Sequence, residues 1–170
     1  MSGDPIVIPT AVILEVFRHA AETYPEECCG LLVGDQDTFS VDEVKRCVNQ
    51  QNEMHKLDPQ TFKRTAETAY FFGPEDSRFL DRSLRKDAPR VTRVIYHSHA
   101  DVGPYFSASD RSAAMMSGEP IYPVTYLVVD AAKNGVMGAQ LFGWNPKHHD
   151  FVRFMTYGPL GTPVDIFNYK

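Results

Sequence analysis

Apolar residues first recur at helical spacing at Ile13, Val16, Phe17, Ala20 and Tyr24, one stripe on a helix predicted over residues 11–24. Thr10 stands where an N-cap belongs, and Pro25 stops the run because it cannot donate a helical hydrogen bond. The period then changes. Residues 28–33 form a continuous apolar run of strand length, and 39–48 read as a second, more polar strand. Residues 49–56 read as a loop. Asp58-Pro59 carries the signature of a helix start, with Phe62, Ala66, Ala69 and Tyr70 as its apolar face. Gly73-Pro74 breaks that helix, and another is expected over 75–86. The β-branched run 91–97 reads as a central strand, 107–116 as a helix, and 124–130, 136–144 and 151–157 as three further strands.

The order α-β-β-α-α-β-α-β-β-β predicts an α/β protein with one mixed sheet and helices on its faces. The 170 residues suit a single domain, 1–170, and show no internal repeat or low-complexity linker. Composition agrees with a globular chain: 43% hydrophobic and 23% charged. No apolar stretch approaches the roughly 18 residues of a spanning helix, so no membrane partner is expected. Residues 1–9 lack both the basic and the apolar parts of a secretory signal, which leads to the expectation of a cytoplasmic protein. A net charge of −5 argues against a nucleic-acid partner. Arg78, Arg82, Arg85, Lys86, Arg90 and Arg93 are interleaved with Asp81 and Asp87 and read as a solvated face. Three cysteines, two of them adjacent (Cys28, Cys29 and Cys47), make a poor disulfide framework and read as buried small apolar residues.

Chemistry concentrates at the end of the 91–97 strand. His97 and His99 are two apart, so a strand presents both imidazoles to one side. The following loop can deliver Asp110 to the same point. Two imidazoles and a carboxylate suit Zn²⁺ with a fourth position open to water, whose pKa the metal lowers to about 7. A second reading competes for Asp110. Ser107-Ala108-Ser109-Asp110 fits a capping box, in which Ser107 caps the helix and Asp110 reaches back to a backbone N–H. A general base is also required, and Glu26 and Glu27 both stand just before an apolar strand. On composition alone both read as a solvated loop. His148-His149-Asp150 reads as a solvated turn rather than a second metal site.

Taken together, Glu27, His97-Ser98-His99 and Ser107-x-x-Asp110 resemble the JAMM (MPN-plus) metalloprotease family, in its bacterial and archaeal branch. Pro25-Glu26-Glu27-Cys28-Cys29-Gly30 resembles the N-terminal signature of that branch, and this register selects Glu27. The resemblance covers about residues 7–145. It implies a curved mixed β-sheet with flanking helices, Zn²⁺ held by His97, His99 and Asp110, Glu27 as general base and acid, and Ser107 as a donor to the oxyanion. Ser98 is expected to point away from the imidazoles. The implied substrate is a ubiquitin-like or sulfur-carrier protein, cut at the amide after its C-terminal glycine, and the resemblance leaves both a monomer and a homodimer open. The alternative is a non-catalytic MPN-type scaffold. A zinc deaminase would need H-x-E and P-C-x-x-C, and neither occurs. Two departures are Ala100 and Phe106, where the family commonly has prolines. They are expected to alter loop rigidity more than chemistry. Residues 73–90 read equally as scaffold and as an insertion shaping a substrate or dimer surface.

Overall fold

The structure is a computed structural model and describes residues 6–166; the outermost residues of the expected 1–170 domain, and most of the 1–9 segment read for a signal, lie outside the described residues. In chain order the elements are α1 (Thr10–Thr23), β1 (Cys29–Asp35), β2 (Glu43–Cys47), α2 (Gln51–Leu57), α3 (Pro74–Ser83), β3 (Arg90–Ala100), α4 (Ala108–Ala114), β4 (Met115–Met116), β5 (Glu119–Pro120), β6 (Thr125–Ala132), β7 (Gly135–Asn145), β8 (Asp150–Tyr157) and β9 (Pro163–Ile166).

Seven strands form one sheet in the order β2-β1-β3-β6-β7-β8-β9. Only the β3–β6 pair is parallel, so the sheet is mixed, as expected. A parallel pair needs a crossover, and the chain between β3 and β6 supplies it with α4 and the β4–β5 hairpin. The central strand β3 is buried on both faces from Val94 to His99, so the polar His97, Ser98 and His99 at its end stand out against the apolar Val94, Ile95 and Tyr96 before them. Its pleat divides the core. Val94 and Tyr96 join Ile13, Val16 and Phe17 beneath α1. Ile95 joins Leu31, Val33, Val128 and Leu80 on the opposite face. Burying each of these aliphatic side chains contributes about 1.5–3 kcal/mol. Gly30 pairs with Tyr96, whose ring occupies the space that a Cβ at position 30 would need.

Several expectations need correction. Pro9, not Thr10, is the N-cap of α1, with no side-chain capping bond. Residues 49–56, read as a loop, contain helix α2; its sequence is polar and only two turns long, so no apolar stripe marks it. The helix expected from Asp58-Pro59 is absent. Asp58 Oδ1 instead accepts from the N–H groups of Gln60 and Thr61 (3.2 and 3.1 Å), an Asx turn that consumes the start signal. Beyond it, side chains from the 49–55 segment take the backbone groups that a helix would use. Gln51 Nε2 donates to Arg64 O (2.7 Å), Asn49 Nδ2 to Ala69 O (3.0 Å), and Ala66 N donates to Asn52 Oδ1 (2.8 Å). The two-residue β4–β5 hairpin and the edge strand β9 were too short to be legible. The 73–90 stretch is in part scaffold: α3 buries Leu80, and Ser83 Oγ bonds Thr92 Oγ1 (2.7 Å).

Candidate metal centre

β3 presents His97 and His99 on the face away from α1, and α4 brings Asp110 to the same point. His97 Nε2 lies 3.3 Å from Asp110 Oδ1, and His99 Nε2 lies 3.4 Å from Asp110 Oδ2. The two Nε2 atoms are 3.2 Å apart. The three ligand atoms fall within 4.8 Å of one another, and this is the one such group among the described residues. His97 is fully buried, His99 nearly so, and Asp110 mostly.

The donor set fits a cation. His99 Nδ1 lies 3.0 Å from Gly103 O; a carbonyl can only accept, so Nδ1 carries the proton and Nε2 keeps its lone pair toward the centre. Two imidazole nitrogens facing each other at hydrogen-bond distance repel unless a proton or a metal lies between them. Burial opposes charge on Asp110, but bonds to His97, His99 and Ser107 outweigh it and hold the carboxyl far below its ordinary range. Burial likewise disfavours the His99 imidazolium, yet Asp110 and Glu27 raise its pKa overall. The pocket therefore attracts positive charge. His97 Nδ1 is buried without a hydrogen-bond partner, and its ring is held instead by stacking on Tyr70 (4.7 Å, 27°).

The capping reading of Asp110 and the ligand reading prove compatible. Ser107 Oγ accepts from Asp110 N (3.1 Å), while Asp110 Oδ2 accepts from Ser107 N (2.8 Å) and Ser107 Oγ (2.6 Å). This capping box is complete, and the same carboxylate still faces both imidazoles. The cap thus orients the ligand.

The pleat also separates the two glutamates. Cys29 pairs with His97, and the same register carried two residues further sets Glu27 level with His99. Glu27 is 5% exposed, and burial pushes its carboxyl pKa up, against the pull of His97 and His99. Glu26 is half-buried elsewhere and accepts from Asn52 Nδ2 (2.8 Å). Ser98 points to the α1 face, where its Oγ accepts from Cys28 N (2.8 Å) and so fixes the chain next to Glu27. Glu27, His99, Ser107 and Asp110 line one cleft of about 600 Å³, together with Phe71 and Tyr126.

Several supporting residues carried no signal that sequence reasoning used. Tyr24 Oη donates to Asp101 Oδ2 (2.6 Å), and Asp101 N donates to Ala131 O (2.9 Å). With its amide oriented to satisfy both ends, Gln140 donates to Pro104 O (3.1 Å) and accepts from Arg153 (3.0 Å). These ties hold the 101–104 loop whose Gly103 carbonyl sets the His99 tautomer. Phe106 packs among Tyr126, Phe142 and Phe151 at centroid distances of 5.1–5.4 Å, anchoring by burial a loop that lacks the proline. Should His97, His99 and Asp110 hold zinc, Tyr24→Phe is expected to weaken that binding by about 3–10-fold, below the span usual for partners of metal ligands because the bond is exposed. Competition with a chromogenic chelator measures it, and unchanged affinity would show that the loop holds without this tie.

The other motifs have structural roles. His148 and His149 lie in the β7–β8 turn, His149 edge-on to Trp144 (6.1 Å), and Asp150 pairs with Arg111. Cys28, Cys29 and Cys47 are free, buried thiols; burial pushes Cys28 and Cys47 up to about 12 and Cys29 higher still, so they are inert at neutral pH. No helix among the described residues is long and apolar enough to cross a membrane.

Comparison with known proteins bears on the fold and the family. A solution structure of a protein from Desulfitobacterium hafniense shares 22% identity over 86% of this chain and 87% of that one, with a TM-score of 0.55. A solution structure of a protein from Salinibacter ruber shares 23% identity over 86% of each chain, with a TM-score of 0.53. A JAB1/MPN domain protein from Archaeoglobus fulgidus shares 15% identity over 94% of this chain and 95% of that one, with a TM-score of 0.41. No curated protein matches the chain. The family model described as prokaryotic homologs of the JAB domain matches residues 9–142, a span that holds Glu27 and all three ligand-forming side chains, and the chain belongs to that family.

Proposed function

We propose that this protein is a zinc-dependent peptidase or isopeptidase of the JAMM type. Its substrate in this reading is a ubiquitin-like or sulfur-carrier protein, cut at the amide after the C-terminal glycine. The observation that carries the reading is the meeting of His97, His99 and Asp110 within 4.8 Å, at a cleft lined by His99, Asp110 and the buried Glu27. His97 Nε2, His99 Nε2 and an Asp110 oxygen would hold the ion. Zinc supplies Lewis acidity toward the scissile carbonyl and a water acidified to a pKa of about 7. Glu27 accepts one proton of the attacking water, whose oxygen bonds to the carbonyl carbon. As the C–N bond breaks, Glu27 delivers that proton to the leaving nitrogen. Its raised pKa suits both duties, because a carboxyl that is too acidic would not take the proton up. Ser107, which lines the cleft, would serve as the oxyanion donor. Its hydroxyl proton is directed at Asp110, so that role requires the hydroxyl to turn into the cleft.

The second reading is a non-catalytic scaffold, in which the Ser107–Asp110 capping box gives Asp110 a structural role of its own. The two readings separate cleanly. Elemental mass spectrometry of the purified protein should find about one zinc per chain. A small β-grasp protein extended past its Gly-Gly terminus should be cut after that glycine, and a chelator should abolish the cut. No zinc after reconstitution, or zinc without cleavage of any such fusion, favours the scaffold.

A further inference from the structure

The cleft holds charge that the ligand set does not use. Its acidic residues are Glu27 and Asp110, both committed to the centre, and its cations other than His99 are Lys63 and Arg64. Both are exposed. Arg64 donates one guanidinium N–H to Thr68 O (2.9 Å), and neither cation has a carboxylate partner among the described residues. The floor around Ile95, Ala114 and Tyr126 is buried and apolar, so the cleft joins an apolar floor to two exposed cations in its lining.

These cations belong to the general base's side of the centre. The turn that carries them is fastened to the Glu27 backbone, where Glu27 N donates to Ala66 O (2.7 Å), and to α2, where Gln51 Nε2 donates to Arg64 O (2.7 Å). Arg64 and Glu27 line the same cleft. The group that takes a proton from Glu27 is the leaving amine. In an ordinary peptide that amine is an α-amine, and if its residue ends the chain, a carboxylate carbon lies about 2.5 Å from the nitrogen. In an isopeptide the leaving amine ends a lysine side chain and has no carboxylate beside it.

We propose that Lys63 and Arg64 form a carboxylate clamp on the leaving side of the cleft, selecting substrates whose released residue carries the free chain terminus over lysine-linked conjugates. This deepens the peptidase reading and rests on it. A guanidinium paired with a carboxylate makes charge-assisted bonds that a terminal amide cannot match. The recognised chemistry is a carboxylate; its sources are the chain terminus, to which the proposal commits, or an acidic side chain.

The test measures binding, so it does not depend on turnover. Fluorescein-labelled peptides ending in Gly-Gly-Ala, as the free acid or the amide, are titrated by polarisation against zinc-reconstituted Glu27→Gln protein. The acid should bind about 10-fold more tightly than the amide, the range of one charge-assisted bond. Adding Arg64→Gln, or Lys63→Gln and Arg64→Gln together, should shrink that ratio to less than about 3-fold. Equal binding of acid and amide overturns the clamp, and that comparison needs no clamp variant to fold. A ratio that survives the double substitution assigns it to other residues. A peptide amide ending in Gly-Gly-Asp that binds as well as the free acid shows that a side chain is read, which overturns the terminal assignment. Failure of every peptide at millimolar concentration overturns a peptide tail in this cleft. Zinc content, measured separately, reports on the peptidase reading whatever the peptides do.

Discussion

Asp110→Ala is expected to bring zinc stoichiometry from about one per chain to near zero, with affinity lower by at least about 100-fold, since loss of even a partner to a metal ligand costs 10–100-fold. The same change removes one half of a capping box. It should therefore also lower the stability of the metal-free protein by about 1 kcal/mol, a fall in Tm of about 2–4 °C for a domain of this size. The two effects come apart in other variants because Asp110 does two jobs through one carboxylate. Asp110→Asn keeps an oxygen for the Ser107 N–H while removing the charge that holds the cation; it should lose zinc with less loss of Tm. Ser107→Ala should lose the helix cap and retain zinc. Elemental analysis and thermal melts on the chelator-stripped proteins measure both quantities. Full zinc in Asp110→Asn would reduce Asp110 to a capping residue.

Glu27→Gln is expected to keep about one zinc and lose at least about 10³-fold in kcat, within the range general acid–base groups contribute. Gln is nearly isosteric, so the cleft should survive while the proton carrier is gone. Glu26→Gln should stay within about twofold of wild type, because Glu26 bonds Asn52 rather than facing the imidazoles. Cleavage of a Gly-Gly-extended β-grasp fusion, normalised to zinc content, is the readout. An inactive Glu26→Gln beside an active Glu27→Gln would show that the strand register argument has chosen the wrong glutamate.

His97-Ser98-His99 was legible because a strand has period two: once 91–97 is a strand, the imidazoles share a face and Ser98 takes the other, where it binds Cys28 N. The glutamates were not separable in the same way. Both stand outside the regular strand, and only pairing of Cys29 with His97 brings Glu27 level with His99. The 58–70 segment misled for a different reason. Its start signal and apolar spacing were helical, but Asn49, Gln51 and Asn52 satisfy its backbone from another part of the chain. A side chain some 15 residues away leaves no local pattern at the position it serves.

By itself, then, the chain determined α1, the main strands of the sheet and the donor atoms available at one strand end, since these depend on period, composition and near neighbours. The tertiary structure decided what crosses the fold. It let Asp110 cap α4 while facing both imidazoles, put Tyr70 against His97, tied Tyr24 to the loop that carries Gly103, and set Lys63 and Arg64 in the cleft that Glu27 lines. Those relations depend on distances between residues far apart in the chain, and such distances exist only once the sheet has closed and its register is set.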